Sequence, residues 1–355
     1  MFVVYILIIL LAAAIFAVAF FSFGVLKSDI VSVKKSLNNL PKSYLSMEDV
    51  DKYVAGVIGK ERQATEGRFD ELLQRIDGIR PSAGEEPAAD STERFLFFSD
   101  PHPFVSMDKV EWGKDNKLDR MKEYLDVSGS DFIICGGDWL TNHKKDTAID
   151  DLKLAEKTMQ EIFGAKYYPL MGNHDNNDKV EEVDHDEIVK IMFNRWGKAY
   201  YTFNGKRTRF YVFDTGSIAH LRDDDDYKKE QTKWFINNLL SNDDEHIVIV
   251  MHMAQTMDDG GPISSPQAIQ LSEVADAFNK RRVYDGYDFS KSTGKVHIIL
   301  AGHWHEDNNY TLNNIPVYII DDAQEGNFDM VLMDYEKSQL RTVRVGSGEN
   351  RVINI

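Results

Sequence analysis

The sequence predicts a mixed α/β sandwich, two sheets packed face to face with helices outside, and three observations carry that expectation. From Glu93 onward, short runs rich in Ile, Val and aromatic residues alternate with polar, helix-compatible stretches. The later runs follow one another with turns and no helix between them. A hydrophobic content of 43% in 355 residues permits a sizeable buried core and a soft expectation of two domains.

Charge and cysteine content narrow the classes. With 41 basic and 58 acidic residues the net charge is −17, which opposes docking on a polyanion and argues against nucleic acid as a partner. The single cysteine, Cys135, excludes an intramolecular disulfide framework and a cysteine-based zinc finger.

Residues 1–25 are expected to form a transmembrane anchor. From Phe2 to Phe23 the chain carries no charge and only Ser22 as a clearly polar side chain. Twenty such residues at about 1.5 Å each match the roughly 30 Å of bilayer hydrocarbon. A cleaved signal peptide is the competing reading, with Ala17-Val18-Ala19 in small-x-small form. Such a signal usually opens on Lys or Arg and has a shorter apolar stretch, and this one has neither. Lys27, Lys34, Lys35 and Lys42 follow the span and no basic residue precedes it, so the positive-inside rule places the C-terminal part in the cytoplasm. The opposite orientation stays open.

Residues 26–80 read as a helical stalk. Ser46 to Asp49 resembles a capping box, and apolar residues recur from Val50 to Ile79 with a phase slip near Gly67. The broken heptads favour a short stalk over a specific dimeriser, with homo-oligomerisation through residues 46–79 as a lesser alternative, and a helix lying against the globular domain is an equal alternative to the stalk. Residues 81–92 are small, acidic and proline-containing, the composition of a flexible linker.

In the domain at 93–355, Phe95–Phe98, Phe132–Cys135, Tyr167–Leu170, Tyr211–Phe213, Ile247–Met251 and Ile298–Ala301 read as buried strands. Leu152–Phe163 and Gln231–Leu240 read as helices, and strands follow around Tyr310–Leu312, Val317–Ile320, Met330–Met333 and Leu340–Val345. The chemistry lies in what comes after each strand. Phe98 leads to Asp100 and His102, Cys135 to Gly136-Gly137-Asp138, and Leu170 to Gly172-Asn173-His174-Asp175. Met251 leads to His252, and Ala301 to Gly302-His303-Trp304-His305. These are oxygen and nitrogen ligands at strand carboxyl ends, the edge where α/β sheets place their sites.

The order D-x-H, G-D, G-N-H-D, H and G-H-x-H resembles the calcineurin-like metallophosphoesterase superfamily over about residues 94–345. The resemblance implies a four-layer α/β/β/α sandwich and two metal ions. It places one ion on Asp100, His102, Asp138 and His305 and the other on Asp138, Asn173, His252 and His303, with Asp138 bridging. Imidazole and carboxylate donors without a thiolate suit Mn, Fe, Zn or Ni. The implied reaction is hydrolysis of a phosphomonoester or phosphodiester by a hydroxide shared between the metals. The catalytic residues would be His174, as general acid, and its neighbour Asp175. Where many members of the superfamily support the acid histidine with an acidic residue or His, this chain has Thr141, leaving Asn142 and His143 as substitutes.

A membrane-tethered phosphohydrolase is therefore the leading reading, with a metallo-nuclease and a catalytically silent membrane scaffold as alternatives. The acidic run Asp223–Asp226 is expected to be a solvated helix start, Cys135 to pack in the core, and Asp258–Pro266 to be a flexible loop that gates substrate. His143, His185, His220, His246 and His297 fall outside the motif blocks.

Overall fold

The computed structural model describes residues 91–355 apart from 103, 107–108, 112–120, 123, 126–128, 141–144, 177–180, 217–224, 242, 259–260 and 325. The expected anchor, the stalk and residues 81–90 of the linker lie outside the described residues, as do Thr141, Asn142 and His143. Among the described residues, no helix is long and apolar enough to cross a membrane.

Among the described residues, two six-stranded mixed sheets form the main framework. The first starts with β1 (Thr92–Phe98), so Thr92, expected in the linker, already pairs with Asp334. After the hairpin β2 (Phe104–Ser106) and β3 (Lys109–Glu111), β4 (Phe132–Cys135) joins β1 in parallel. Helix α1 (Lys145–Phe163) then leads to β5 (Tyr167–Pro169), parallel to β4. Helix α2 (His185–Met192), capped by Asp184, comes before the second sheet.

That sheet begins with β6 (Tyr201–Asn204) and β7 (Thr208–Phe213), an antiparallel pair. Helix α3 (Asp225–Ser241) leads to β8 (His246–Met251), parallel to β7. A short hairpin follows, β9 (Gln255–Asp258) and β10 (Gly261–Ser264), and then helix α4 (Pro266–Asn279). The small ribbon β11 (Val283–Tyr284) and β12 (Tyr287–Asp288) precedes β13 (Lys295–Ala301), which runs parallel to β8. Strands β14 (Asn308–Leu312) and β15 (Ile315–Ile319) complete this sheet, in the order β14-β15-β13-β8-β7-β6. The chain then returns to the first sheet with β16 (Phe328–Asp334), β17 (Gln339–Val345) and β18 (Arg351–Asn354), in the order β18-β17-β16-β1-β4-β5.

Side-chain alternation places the layers. In β8, Val248 and Val250 belong to the large core that also holds Phe95, Phe132 and Phe210, whereas Ile247, Ile249 and Met251 belong to a second core with Phe235, Leu239, Leu271 and Phe278 of α3 and α4. One face of this sheet thus meets the other sheet, and its opposite face meets helices, as the near-continuous apolar runs of parallel strands require. Between the sheets Phe210 packs edge-on against Phe95 and Phe132, with centroids 5.4 and 5.2 Å away, and stacks on Phe203 at 4.7 Å. Cys135 is fully buried there, and burial pushes its thiol pKa up, as an inert core residue.

Of the segment expected as a gating loop at Asp258–Pro266, the described residues are instead the end of β9, the strand β10 and the start of α4. Ser265 accepts from the Ala268 N–H at 3.2 Å and Pro266 takes the first helical turn, an N-cap and proline pair that marks a helix start. The flat alternation of so short a hairpin gave no period to read.

In β13 the register shifts between Val296 and Ile298, so His297 is the extra residue of a bulge. It is buried, with its Nε2 3.0 Å from His246 Nδ1. Burial, with the charges of Lys295 and His246, holds His297 down to about 3, from an ordinary 6.5. The fold therefore keeps this ring neutral while the unfolded chain binds a proton. Its contribution to stability is fully present above about pH 6.5 and is lost as pH falls toward about 3. The expected outcome is that the thermal midpoint of the native protein drops more between about pH 7.5 and pH 5 than that of His297→Gln. Parallel midpoints for the two proteins would contradict it.

Candidate metal centre

Strands β1, β4 and β5 of the first sheet run parallel to one another, as do β7, β8, β13 and β15 of the second, and the segments following several of them meet. The Asp100 N–H donates to Gly137 O at 3.0 Å and the His102 N–H to Asp138 O at 3.2 Å, which ties the turn after β1 to the turn after β4. The His303 N–H donates to Asp100 Oδ2 at 2.8 Å, bringing the turn after β13 across from the other sheet. The His174 N–H donates to Asp138 Oδ1 at 2.8 Å and so brings in the turn after β5.

The backbone at these positions is strained. Asp100, His102, Asp138, His303 and His305 all hold positive φ, between 34° and 74°. Such conformations cost on the order of 1–3 kcal/mol each and persist only where the surroundings over-determine them. Gly172 shows how closely the turns approach: a Cβ there would lie 2.1 Å from the Asp138 N and Oδ1 atoms.

The side chains form two ligand groups that share one carboxylate. Asp100, His102, Asp138 and His305 offer atoms within 4.8 Å of one another, and so do Asp138, His252 and His303. Asn173 joins the second group through its Oδ1, 2.9 Å from His252 Nε2. Asp100, Asp138 and His252 are essentially inaccessible to solvent, while His305 is exposed. His174 is half-buried, its ring edge-on to His102 with centroids 5.1 Å apart.

Tautomers follow from the partners. His102 Nδ1 lies 2.8 Å from Leu140 O and His252 Nδ1 2.7 Å from Gly136 O, so each donates an Nδ1–H to a carbonyl. Each Nε2 is thereby left to face the cluster, the arrangement in which imidazoles hold a metal. His252 Nε2 lies 3.3 Å from Asp138 Oδ2, and His102 Nε2 3.7 Å from it. The Oδ2 atom is enclosed yet has no aligned hydrogen-bond partner.

Such a convergence of acceptors demands positive charge. Burial opposes ionisation of Asp138, but His252, His174 and His102 override it and hold the carboxylate below its usual range. Burial likewise lowers His252, and the carboxylates of Asp138 and Asp100 reverse this, pushing it up to about 10. Burial and the adjacent His252 hold His303 down to about 4, leaving an imidazole with an available lone pair. A set of carboxylate, imidazole and amide donors with an orphaned buried oxygen fits divalent cations.

Asp175 is the other residue expected to be catalytic. It is fully buried, and its carboxylate accepts from the N–H groups of Trp139 (2.6 Å) and Leu140 (3.2 Å) at Oδ1 and of Gly172 (2.7 Å) and Asp138 (3.2 Å) at Oδ2. With both oxygens taken by main-chain donors it fastens the turn of Asp138 to the turn of His174 and has no surface to offer a substrate.

Sequence reasoning passed over Asp322. It follows β15, forms an isolated bridge with Ser99, and brings Oδ2 within 3.9 Å of His305 Nδ1. The rule that singled out the other residues, polar groups at strand carboxyl ends, points to it as well.

Residues 93–307 match the Metallophos family, described as calcineurin-like phosphoesterase. No curated protein matches the chain. Among solved structures, a dimetal phosphatase from Danio rerio superposes with a TM-score of 0.54 at 11% identity, covering 74% of this chain and 98% of that one. GAP50, the anchor in the inner membrane complex of Plasmodium, gives 0.45 at 11% identity, covering 75% and 89%. A protein from Thermus thermophilus, TT1561, gives 0.43 at 13% identity, covering 71% and 98%. The family match spans more than half of the sequence and takes in every segment that meets at Asp138, and on that ground the chain belongs to the calcineurin-like phosphoesterase family.

Proposed function

We propose that the protein is a membrane-anchored phosphohydrolase that binds two cations and cleaves phosphomonoesters or phosphodiesters. The observation that carries this is the single carboxylate of Asp138 shared by two ligand groups. Asp100, His102, Asp138 and His305 would hold one cation, and Asp138, Asn173, His252 and His303 the other; the likeness to a dimetal phosphatase agrees with that number. When bound, two such ions supply Lewis acidity toward phosphoryl oxygens and lower the pKa of water. The main-chain carbonyls of Leu140 and Gly136 fix the rings of His102 and His252, so the ligands are set before substrate arrives. Asn173 adds a neutral donor, which limits the negative charge that an anionic ester meets.

His174 stands beside the cluster, half-buried, with its main chain fastened to Asp138 Oδ1. Its imidazole delivers a proton to the leaving oxygen. The uncharged run from Phe2 to Phe23 supports a single-pass anchor, and the lysines that follow it support a cytoplasmic catalytic domain.

Three outcomes follow. Because both groups use Asp138, elemental analysis of Asp138→Ala should find neither cation, whereas His305→Ala should lose only one; retention of both by Asp138→Ala defeats the shared-ligand reading. His174→Ala should keep its metal while turnover of esters with poor leaving groups falls about 10²–10⁴-fold, and activated aryl phosphates suffer less. Unchanged rates on alkyl phosphates would remove the acid role. Under alkaline carbonate extraction the full chain should stay with the membrane pellet and a deletion of residues 2–23 should appear in the supernatant; release of the full chain refutes the anchor.

A further inference from the structure

Arg344 is a residue of β17, in the first sheet, yet its guanidinium reaches a turn of the second. Its side chain is almost wholly buried. Nε donates to Asp329 Oδ1 at 2.7 Å, its cross-strand neighbour on β16, and Nη2 lies 3.2 Å from Tyr318 Oη. Tyr318 belongs to β15 of the second sheet, and two further bonds go to the turn before β14: Nη1 donates to Asp307 Oδ2 at 2.8 Å and Nη2 to Asp307 Oδ1 at 2.5 Å, while Nη1 also donates to Ser347 O at 3.1 Å. This is a bidentate fork on a nearly buried carboxylate, the geometry that arginine alone can supply. Asp307 Oδ1 also accepts from the Asp321 N–H at 3.1 Å, at the end of β15.

Asp307 is two residues beyond His305, on the turn that carries His303 and His305 with φ of +74° and +55°. A left-handed conformation at two successive ligand positions needs an external fixture, and neither histidine is a glycine or asparagine. At one end the turn is held by the His303 N–H on Asp100 Oδ2. At the other end it is held by Asp307, and Asp307 by Arg344.

We propose that Arg344 is a positioning residue of the metal centre, which acts through Asp307 to fix the turn that presents His303 and His305. The proposal rests on the reading of those histidines as metal ligands. Asp329 and Tyr318 are the platform that orients the guanidinium, and the hydroxyl of Tyr318 donates to Asp329. An arginine that only braced one sheet against the other would affect global stability without singling out this turn.

The test uses the full chain with Arg344→Lys and, because a buried lysine can fail to fold, Asp307→Asn, which keeps shape and one acceptor while removing the charged fork. In the metal-free protein, the amides of residues 302–307 should exchange with solvent at least about tenfold faster in either folded variant, while those of β1 and β8 keep their native protection. Calorimetric titration with Mn²⁺ should show affinity reduced about 10–100-fold, as for other residues that orient ligands. Native exchange at 302–307 in a folded variant overturns the proposal, as does native Mn²⁺ affinity. If the unaltered protein itself binds no Mn²⁺, Zn²⁺, Ni²⁺ or Fe²⁺, the metal reading fails and the role of Arg344 at the centre fails with it, while accelerated exchange would still establish the link from Arg344 to the turn.

Discussion

The structure depends on the enclosure of two carboxylates, Asp100 and Asp138, where the strands of two different sheets end. Neither is tolerated inside a protein without compensating positive charge, and the imidazoles gathered around them supply it in the metal-free protein. The rest of the local architecture holds these groups against their mutual repulsion. Asp175 gathers four main-chain donors, Gly172 leaves room for the Asp138 carboxylate, and left-handed backbone at the ligand positions aims the side chains inward. Part of what this enclosure costs is held as strained backbone at the ligand positions.

The mixed sheets make such a meeting achievable. In the second sheet the four central parallel strands, and in the first the three parallel strands β1, β4 and β5 on one side, release their polar segments at a common edge, while the antiparallel strands return the chain without adding ligands from the other end. The aromatic layer of Phe95, Phe132, Phe203 and Phe210 packs the sheets together, and its density turns a set of mobile turns into a fixed constellation.

Much of this was legible in the sequence because it is local. Strands such as Ile247–Met251 announce themselves by unbroken apolar runs, and the residues after them could be picked out one strand at a time. What stayed hidden depends on partners distant in sequence. Nothing near Arg344 signals that its carboxylates are Asp307 and Asp329, and nothing near Asp175 signals that it serves amides more than thirty residues earlier. The β9–β10 hairpin and the bulge at His297 were unreadable for a different reason: each is too short or too irregular to display a period. Ser265-Pro266 was readable and overlooked, since a cap followed by proline carries a helix start in two letters.

The order of strands in the first sheet also bears on how the molecule is made. β1 lies between β4, which leaves the ribosome soon after it, and β16, more than two hundred residues later. During synthesis β1 therefore waits with one edge bare, and the nascent chain carries most of its histidines and carboxylates while that flank is open. Closure of the sheet, and with it arrival of the guanidinium from β17, comes only after every candidate ligand residue has been synthesised.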